Sequence, residues 1–497
     1  MRLNTGRARL LCAAAAAGMA LAVGLTGCSG ADEAVVPGPP DAGIQLFQLP
    51  WTSIAEECER TVGPAGFAWV LTSPPQEHIV RDEWWAAYQP VSYRVESRLG
   101  TRAEFADMVA RCDRAGVAVI ADAVINHMTG QDEAGSGWAG SAYEHYRYPG
   151  IYDEDQFHRC GLTSADDIED YTSREQVQTC ELVNLADLDT SDSAVRTTIT
   201  AYLEDLLSLG VAGFRIDAAK HMAAEDVAAI VAPLPEGTRI LSEVIRGGGE
   251  PVQPEEYVAI GEVFEFTYPR DLAPPLSNGV FRDPALEGDR PLHVPSDTAI
   301  VFVDNHDTER GEAKITYRDP ARYVIANALM LADDYGTPIV YSGYAFTDRD
   351  AGAPVDAAGR VLPASCADAD GPREAYGDGD RTCVQSWPAI AGMLQLRAVA
   401  ADAPRMPGVD AGDAYGFERQ GRAVVAVNVG AQAQRIEIAT SMPDGDYCNV
   451  IAGPAGGDAV AGNDSPCPGE VVTVAAGAAV FDLPAESAAA IHLGARS

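Results

Sequence analysis

The chain has 497 residues, of which 47% are hydrophobic and 22% are charged, with 48 glycines and 32 prolines. This composition is that of a globular protein, and it excludes the disordered and fibrous classes. Acidic residues outnumber basic residues by 73 to 35, and a formal charge of −38 repels nucleic acids and anionic lipid headgroups, so we expect no nucleic-acid partner.

The N-terminal segment has the features of an export signal. Three arginines precede an uncharged run from Leu10 to Thr26, which leads into the tetrapeptide LTGC ending at Cys28. This ending is similar to a bacterial lipobox, in which the cysteine is lipidated; a secretory signal with a coincidental cysteine is the alternative. We predict a lipoprotein signal peptide at 1–27, a linker at 28–42, and a secreted or cell-surface protein attached to the membrane only through Cys28.

The cysteine count agrees with export. Of ten cysteines, Cys12 lies in the signal and Cys28 in the lipobox, which leaves eight, an even number. Such a number in an oxidising compartment favours disulfides, and the absence of any C-x-x-C pair argues against zinc. Spacing alone does not choose the pairing.

Eight short apolar or β-branched runs, each bounded by turn residues, predict strands, with amphipathic stretches between several of them. The clearest helix is 193–209, where apolar residues recur at three- and four-residue steps before Gly210 ends the pattern. Strands alternating with helices favour a (β/α)₈ barrel; an open doubly wound sheet is the alternative. The strand runs are 44–49, 67–71, 117–123, 211–217, 239–245, 257–266, 299–304 and 338–341.

Two regions depart from this alternation. The long segment 127–187, after the third strand, is predicted to form a small inserted domain, because compact domains seldom contain structureless loops of that length. From residue 405 to residue 497, short alternating runs separated by turns predict an antiparallel β-sandwich domain. The barrel itself is therefore assigned to 43–126 and 188–404.

Charged residues follow several of the predicted strands. In such barrels the active site lies at the carboxyl ends of the strands, and Asp122, Asp217, Glu243 and Asp307 all fall there. Crowded carboxylates raise at least one pKa, so that one group stays protonated while its neighbour is ionised. A carboxylate nucleophile beside a carboxylic acid is the apparatus of retaining glycoside hydrolysis.

The segments DAVINH (122–127), GFRIDAAKH (213–221), SEVI (242–245) and FVDNHD (302–307) resemble the four signature regions of the α-amylase family of glycoside hydrolases. The likeness is to animal-type α-amylases and their bacterial relatives. It extends over 43–497 through FQLPWTSIAEEC, WWAAYQPVSY and YCNVIAG. The resemblance implies an endo-acting, retaining hydrolase of internal α-1,4 bonds in starch- or glycogen-like glucans.

The resemblance also implies residue roles: Asp217 as nucleophile, Glu243 as general acid/base and Asp307 as the third carboxylate. A second motif, Gly261-Glu262-Val-Phe-Glu265, competes for the acid/base position, but alignment of the stretch after Glu243 favours Glu243 and places the other two glutamates on the sixth strand. Substrate contacts are expected from Trp84, Trp85, Tyr88, Gln89, Asp122, His127, Arg215, Lys220, His221 and His306.

Calcium is the metal that the resemblance implies, with side-chain oxygens of Asn126 and Asp187 and main-chain carbonyls of Gln178 and His221 as ligands. Chloride is not expected, because Ile339 occupies the position of the basic chloride ligand on the eighth strand. The resemblance further implies four disulfides: Cys58–Cys112, Cys160–Cys180, Cys366–Cys383 and Cys448–Cys467.

Other functions compete with this interpretation. The nearest is an exo-acting, maltooligosaccharide-forming or transglycosylating member of the same family, because subsite loops and not the catalytic groups distinguish these activities. The segment 308–313 also lacks the longer glycine-rich loop of animal enzymes. A catalytically inactive glucan-binding surface lipoprotein is the non-enzymatic alternative; a solute-binding lipoprotein conflicts with the barrel pattern. We expect a monomer.

Overall fold

A closed barrel of eight parallel strands forms the centre of the computed structural model, which describes residues 37–281, 290–455 and 467–497. Each predicted strand run overlaps one strand, and the first strand pairs with both the second and the eighth, so the barrel prediction is confirmed and the open sheet is wrong. The strands are β1 Gly43–Leu46, β2 Trp69–Thr72, β3 Ala118–Ala123, β4 Gly213–Ile216, β5 Arg239–Ser242, β6 Glu262–Phe264, β7 Ala299–Val301 and β8 Thr337–Ser342.

Apolar side chains fill the interior of this barrel. Leu71, Leu241, Ile300, Phe302 and Ile339 belong to one buried cluster contributed by different strands or their ends. Strands buried on both faces are expected to be apolar throughout, which explains why they appear in the sequence as short continuous runs. The barrel is therefore a packed core whose chemistry is confined to its ends.

Helices surround the barrel between successive strands. The helix predicted at 193–209 spans 193–208, begins at an Asp192 cap and is followed by Gly210 at a positive φ of 96°. The connection from β5 to β6 contains the single 3₁₀ turn Pro254–Glu256. The α-helices of six or more residues are α1 Trp51–Glu57, α2 Arg102–Arg114, α3 Arg174–Thr179, α4 Ser193–Ser208, α5 Ala224–Val231, α6 Thr267–Asn278, α7 Pro320–Ala332 and α8 Pro388–Ala400.

The segment inserted after β3 returns to the barrel close to where it left. It contains helix α3 and a short hairpin of strands 135–136 and 142–143. Its two ends pair with each other, since the amide of Met128 donates to Ala186 O at 2.9 Å and that of Leu188 donates to Asn126 O at 3.0 Å. The insertion is thus tied to the carboxyl end of β3, beside the predicted site.

Two antiparallel four-stranded sheets form the C-terminal part, as predicted. Their order is β9-β10-β11-β16 and β12-β15-β14-β13, and their facing side chains form a separate buried cluster that includes Val424, Ile436 and Phe481. The strands are β9 Val409–Ala411, β10 Ala414–Arg419, β11 Ala423–Asn428, β12 Gln434–Ala439, β13 Gly445–Cys448, β14 Val471–Ala475, β15 Ala478–Leu483 and β16 Ser487–His492.

The four expected disulfides are all present, and all have S–S distances of 1.99–2.12 Å. They are Cys58–Cys112, Cys160–Cys180, Cys366–Cys383 and Cys448–Cys467. Disulfides of this number are typical of proteins exported to an oxidising compartment. Within the described part of the chain, no helix is both long and apolar enough to span a membrane. The predicted signal, linker start and Cys28 lie outside the described residues.

Candidate active site

The carboxylates predicted from the sequence meet at one end of the barrel. Asp122 lies near the end of β3, Asp217 directly follows β4, Glu243 directly follows β5, and Asp307 lies six residues after β7. Because all eight strands run in parallel, their carboxyl ends share one rim. The register of β3 against β4 places Asp122 opposite Arg215.

A single guanidinium joins three of these acids. Arg215 Nη1 donates to Asp122 Oδ1 at 2.6 Å and to Asp217 Oδ1 at 3.0 Å, while Nη2 lies 2.7 Å from Glu243 Oε1. Only 3% of Arg215 is exposed. Charge-assisted bonds at these distances fix the three carboxylates relative to one another.

A sharp turn after β4 adds a second contact to Glu243. Ala218 adopts a left-handed conformation, with φ of 49°, which is uncommon for a residue with a side chain. The turn directs its amide to Glu243 Oε2, at 2.9 Å. Both carboxylate oxygens of Glu243 are therefore held, one by the arginine and one by the chain that carries Asp217.

Burial shifts the pKa values of the acids in this cluster. It raises the pKa of Asp217 well above 3.8; Arg215 opposes the shift, and Glu243, Asp122 and Asp307 add to it. Burial likewise raises the pKa of Asp122 to about 6 and that of Asp307 to about 7. The Arg215 guanidinium lowers each of these three pKa values, but removal from water outweighs its effect.

His306 presents a neutral ring to Asp307. Burial lowers the pKa of His306 well below 6.5, and Arg215 and Arg310 add to that effect. The side-chain amide of Gln45 donates to His306 Nδ1 at 3.1 Å, so the proton resides on Nε2, which lies 3.3 Å from Asp307 Oδ2. The imidazole therefore orients Asp307 as a hydrogen-bond donor.

Aromatic rings surround this histidine. Tyr88 stacks on His306 at 5.1 Å between centroids, Phe47 stacks on it at 4.8 Å, and Trp84 meets it edge-on at 5.8 Å. Trp84 and Tyr88 belong to the 3₁₀ turn Trp84–Tyr88, not to a strand; Trp85, next in the turn, is half-buried against the core. Tyr88 OH also donates to Asp122 Oδ2 at 2.9 Å, which ties the rings to the charged cluster.

A different group lies where the inserted segment approaches β4. Lys220 donates to Ile245 O at 2.8 Å, forms an ion pair with Glu250, and lies 5.5 Å from the centre of the Tyr171 ring. The ring of His221 meets Tyr171 edge-on at 6.3 Å. Sequence reasoning did not assign a role to Tyr171 or Glu250, because the residues they meet are distant in the chain and no local pattern marks them.

Two other residues predicted to contact the substrate form hydrogen bonds within the protein. His127 Nε2 lies 3.0 Å from Tyr88 O, and burial lowers the pKa of His127 to about 4. Gln89 Oε1 accepts hydrogen bonds from the Thr129 hydroxyl at 2.8 Å and from the Gly130 amide at 3.1 Å. Both residues connect the segment after β2 to the start of the insertion.

The residues expected to bind calcium lie at this same junction. Asn126 Oδ1 is buried without a hydrogen-bond partner, and burial raises the pKa of Asp187 to about 7. The ring of His221 lies 2.9 Å from Val177 O, which brings its segment to the helix that carries Gln178. No three His, Cys, Asp or Glu side chains cluster as a metal site in the described ranges. The expected set instead uses one carboxylate with amide and carbonyl oxygens, which suits a hard cation such as Ca²⁺.

The competing glutamates bind other groups, and only Glu262 lies at the opposite end of the barrel, since Glu265 directly follows β6. Glu262 is the first residue of β6, at the amino end of the barrel, and accepts a hydrogen bond from Arg239 Nη2 at 2.6 Å. Glu265 accepts hydrogen bonds from the amides of Thr267 and Val294 at 2.9 and 2.8 Å. Glu243, by contrast, shares Arg215 with Asp217.

Comparisons with known proteins identify the family to which the chain belongs. A family model described as the α-amylase catalytic domain matches residues 72–266, and one described as the α-amylase C-terminal all-β domain matches residues 409–494. The chain is 43% identical over 431 residues to an α-amylase of Streptomyces violaceus, covering 86% of this chain and 72% of that protein. It is 35% identical over 449 residues to an α-amylase of Tenebrio molitor, covering 87% and 92%.

A solved structure leads to the same family. The crystal structure of α-amylase I from Eisenia fetida superimposes with a TM-score of 0.82 at 32% sequence identity, covering 93% of this chain and 99% of that one. The two relatives and the solved structure cover 86–93% of this chain, and the two domain models match residues 72–266 and 409–494 within it. The chain belongs to the α-amylase family of glycoside hydrolases.

Proposed function

We propose that this protein is an endo-acting, retaining α-amylase that cleaves internal α-1,4-glucosidic bonds of starch- and glycogen-like glucans. The observation that carries the proposal is the shared arginine: Asp217 and Glu243 bind the two amino nitrogens of Arg215 at 3.0 and 2.7 Å. One planar guanidinium thus spans the pair. Such proximity favours the retaining arrangement, in which the carboxyl groups are about 5–5.5 Å apart, over the wider inverting arrangement.

The proposed reaction has two steps. The Asp217 carboxylate attacks the anomeric carbon while the Glu243 carboxyl gives its proton to the departing glycosidic oxygen, and a glycosyl ester forms on Asp217. The resulting Glu243 carboxylate then takes a proton from water as the water oxygen attacks the same carbon, which releases Asp217 and restores the configuration. Arg215 favours the ionised form of Asp217 and so opposes the effect of burial, because a nearby cation stabilises the charged state.

Other residues hold the sugar in this proposal. Asp307, oriented by His306, accepts hydrogen bonds from ring hydroxyls and favours the distorted, oxocarbenium-like transition state. Tyr88 and Trp84 offer aromatic surface to the apolar faces of the sugar ring on the non-reducing side. Lys220 and Tyr171 lie by the inserted segment and would contact the other side of the bond. A neutral polysaccharide also suits a chain with a formal charge of −38.

Calcium binding is part of the proposal. Asn126 and Asp187 would supply side-chain oxygens, and Gln178 and His221 main-chain carbonyls; the buried, unpartnered Asn126 Oδ1 supports this set. The cation would join the insertion to the barrel and so hold the wall of the cleft. Chloride has no role here, because Ile339 packs in the barrel interior with Ile300 and Phe302.

Attachment to the cell surface through a lipid on Cys28 is also proposed, on the sequence pattern alone. The full-length chain expressed in a bacterium should enter the detergent phase on Triton X-114 partition, and Cys28→Ser should enter the aqueous phase. Aqueous partition of both forms would contradict the anchor and leave simple secretion.

The first test of the proposed chemistry is the substitution Glu243→Gln. We expect reducing-sugar release from soluble starch to fall by several orders of magnitude, because the amide cannot donate the proton, while binding of maltoheptaose persists. The matched control is Glu262→Gln, at the opposite end of the barrel, which should retain activity within about twofold.

Each result of this test has a clear meaning. Hydrolysis by the parent with early loss of starch–iodine colour supports endo-cleavage; maltooligosaccharides released with little loss of colour would instead support the exo-acting alternative. No hydrolysis by the parent, with glucan binding intact, would move the assignment to a binding protein.

The acid limb of the pH profile tests the cluster. Asp217 must be ionised to attack, and its pKa is raised, so kcat/KM should fall as pH drops through that raised value. Asp122→Asn removes a negative neighbour, so the limb should move to lower pH by roughly one unit. The control is Asp205→Asn, on α4, which should leave the acid limb unchanged. If the acid limb of Asp122→Asn moves to higher pH or does not move, the predicted effect of Asp122 on the pKa of Asp217 is wrong.

Thermal unfolding tests the calcium site independently of activity. Chelation should lower Tm and added Ca²⁺ should restore it, because a ligand that binds only the folded state stabilises it. Asn126→Ala should require more Ca²⁺ for the same Tm, whereas Asn278→Ala should not. Identical calcium titrations for Asn126→Ala and the parent would contradict the ligand set. In the same buffers, starch hydrolysis should change less than twofold on adding chloride; strong activation would contradict its exclusion.

A further inference from the structure

A second buried arginine lies three residues after Asp307 and is not part of the charged cluster. Arg310 is 7% exposed, and its guanidinium reaches main chain on two loops. Nη1 donates to His306 O at 2.7 Å, and Nε donates to Arg349 O at 3.1 Å. Nη2 donates to the Tyr344 hydroxyl at 3.2 Å. One side chain thus holds the loop after β7 against the loop after β8.

Aromatic rings enclose the same guanidinium. Its central carbon lies 5.0 Å from the ring centre of Trp84, 5.4 Å from that of Phe47 and 4.3 Å from that of Phe346. Cations at such distances are attracted to ring faces, more strongly when they are removed from water. These rings follow β1, β2 and β8, so Arg310 contacts the segments that follow four of the eight barrel strands.

The charge of Arg310 is compensated within the protein. Arg310 Nη1 lies 2.5 Å from Glu309 Oε1, which also accepts a hydrogen bond from the Tyr341 hydroxyl at 2.6 Å. Both side chains of the ion pair are almost fully buried. A buried cation with a buried counter-ion keeps one geometry, because any displacement would break charge-assisted bonds that water cannot replace.

We propose that Arg310 is a positioning residue that sets the distance between the Trp84 ring and the peptide joining His306 to Asp307. Trp84 offers the sugar a stacking surface and Asp307 holds its hydroxyls, so their separation determines how a bound ring meets Asp217. This inference rests on the proposed function. Errors of about 1 Å in such placements reduce rates by roughly a hundredfold.

The geometry requires arginine specifically. A planar guanidinium donates from three nitrogens in one plane and presents flat faces to rings, whereas an ammonium is a compact point charge. Lysine at this position would keep the charge opposite Glu309. It would lose the simultaneous bonds to His306 O, Arg349 O and the Tyr344 hydroxyl.

The test is Arg310→Lys, with Arg318→Lys as the matched control. Arg318 stacks on the same Phe346 ring at 4.3 Å and donates to Phe346 O at 3.1 Å, but it is exposed. We expect Arg310→Lys to lower kcat on maltoheptaose by about tenfold or more, through Asp307, and to raise KM several-fold, through Trp84. Arg318→Lys should stay within about twofold of the parent in both. A folded Arg310→Lys with kcat and KM within twofold of the parent would overturn the proposal.

A double-variant cycle separates positioning from a merely structural role. If Arg310 acts on KM through Trp84, then Arg310→Lys added to Trp84→Ala should change KM less than twofold further. Independent, multiplying effects on KM would overturn the coupling. A lowered Tm with unchanged kinetic constants below Tm would show a structural role alone and would also overturn it.

Failure of this inference can be told apart from failure of the proposed function. Binding of maltoheptaose, measured by calorimetry in the Glu243→Gln background, needs no turnover, and Arg310→Lys should weaken it at least fivefold. If the parent fails to hydrolyse starch but this weakening is seen, the positioning role stands. If Arg310→Lys does not fold, Tyr344→Phe is the alternative variant, because it removes one hydrogen-bond acceptor of Arg310. It should lower kcat and raise KM by smaller factors than those expected for Arg310→Lys. Unchanged kcat and KM in Tyr344→Phe would overturn the proposal.

Discussion

A buried guanidinium is the interaction on which the catalytic end of this barrel depends. Arg215 contacts Asp122, Asp217 and Glu243 within 3.0 Å, in a site from which water is largely excluded. Without that cation, three carboxylates at such distances would repel one another and lose their hydration, and removing one partner of a buried ion pair typically costs about 3–5 kcal/mol. The position of Arg215 on β4 is therefore as necessary to the site as the acids.

Ion pairs at the two ends of the barrel have different roles. At the amino end, Arg239 and Glu262 form a half-buried pair between β5 and β6, away from the rim that carries the acids. At the carboxyl end, Arg215 holds Asp122, Asp217 and Glu243, and Arg310 holds the main chain and rings near them. This division agrees with the general separation of stability and catalysis between the two faces of such barrels.

The inserted segment contributes to the site through its attachment to β3. His127 of the insertion binds Tyr88 O in the segment after β2, and Gln89 of that segment binds Thr129, while helix α3 reaches the turn that carries Lys220 and His221. This side of the site is thus built from contacts between residues 39 to 44 positions apart in the chain. A cation bound by Asn126 and Asp187 would act at this junction between the insertion and the barrel.

The sequence by itself determined the barrel, the inserted segment, the C-terminal sandwich and the identity of the rim carboxylates. Each of these depends on local signals: apolar runs bounded by turns, helical periodicity at 193–209, and acids placed at or shortly after the ends of strands. The disulfide partners required the family resemblance, because spacing leaves many pairings open. Only the tertiary structure showed that Lys220 lies against the Tyr171 ring, and that Glu243 and Glu262 lie at opposite ends of the barrel. It also placed Arg310 among the rings of Phe47, Trp84 and Phe346. These contacts join segments that are distant in the chain and that closure of the barrel brings together. No local sequence pattern predicts such contacts.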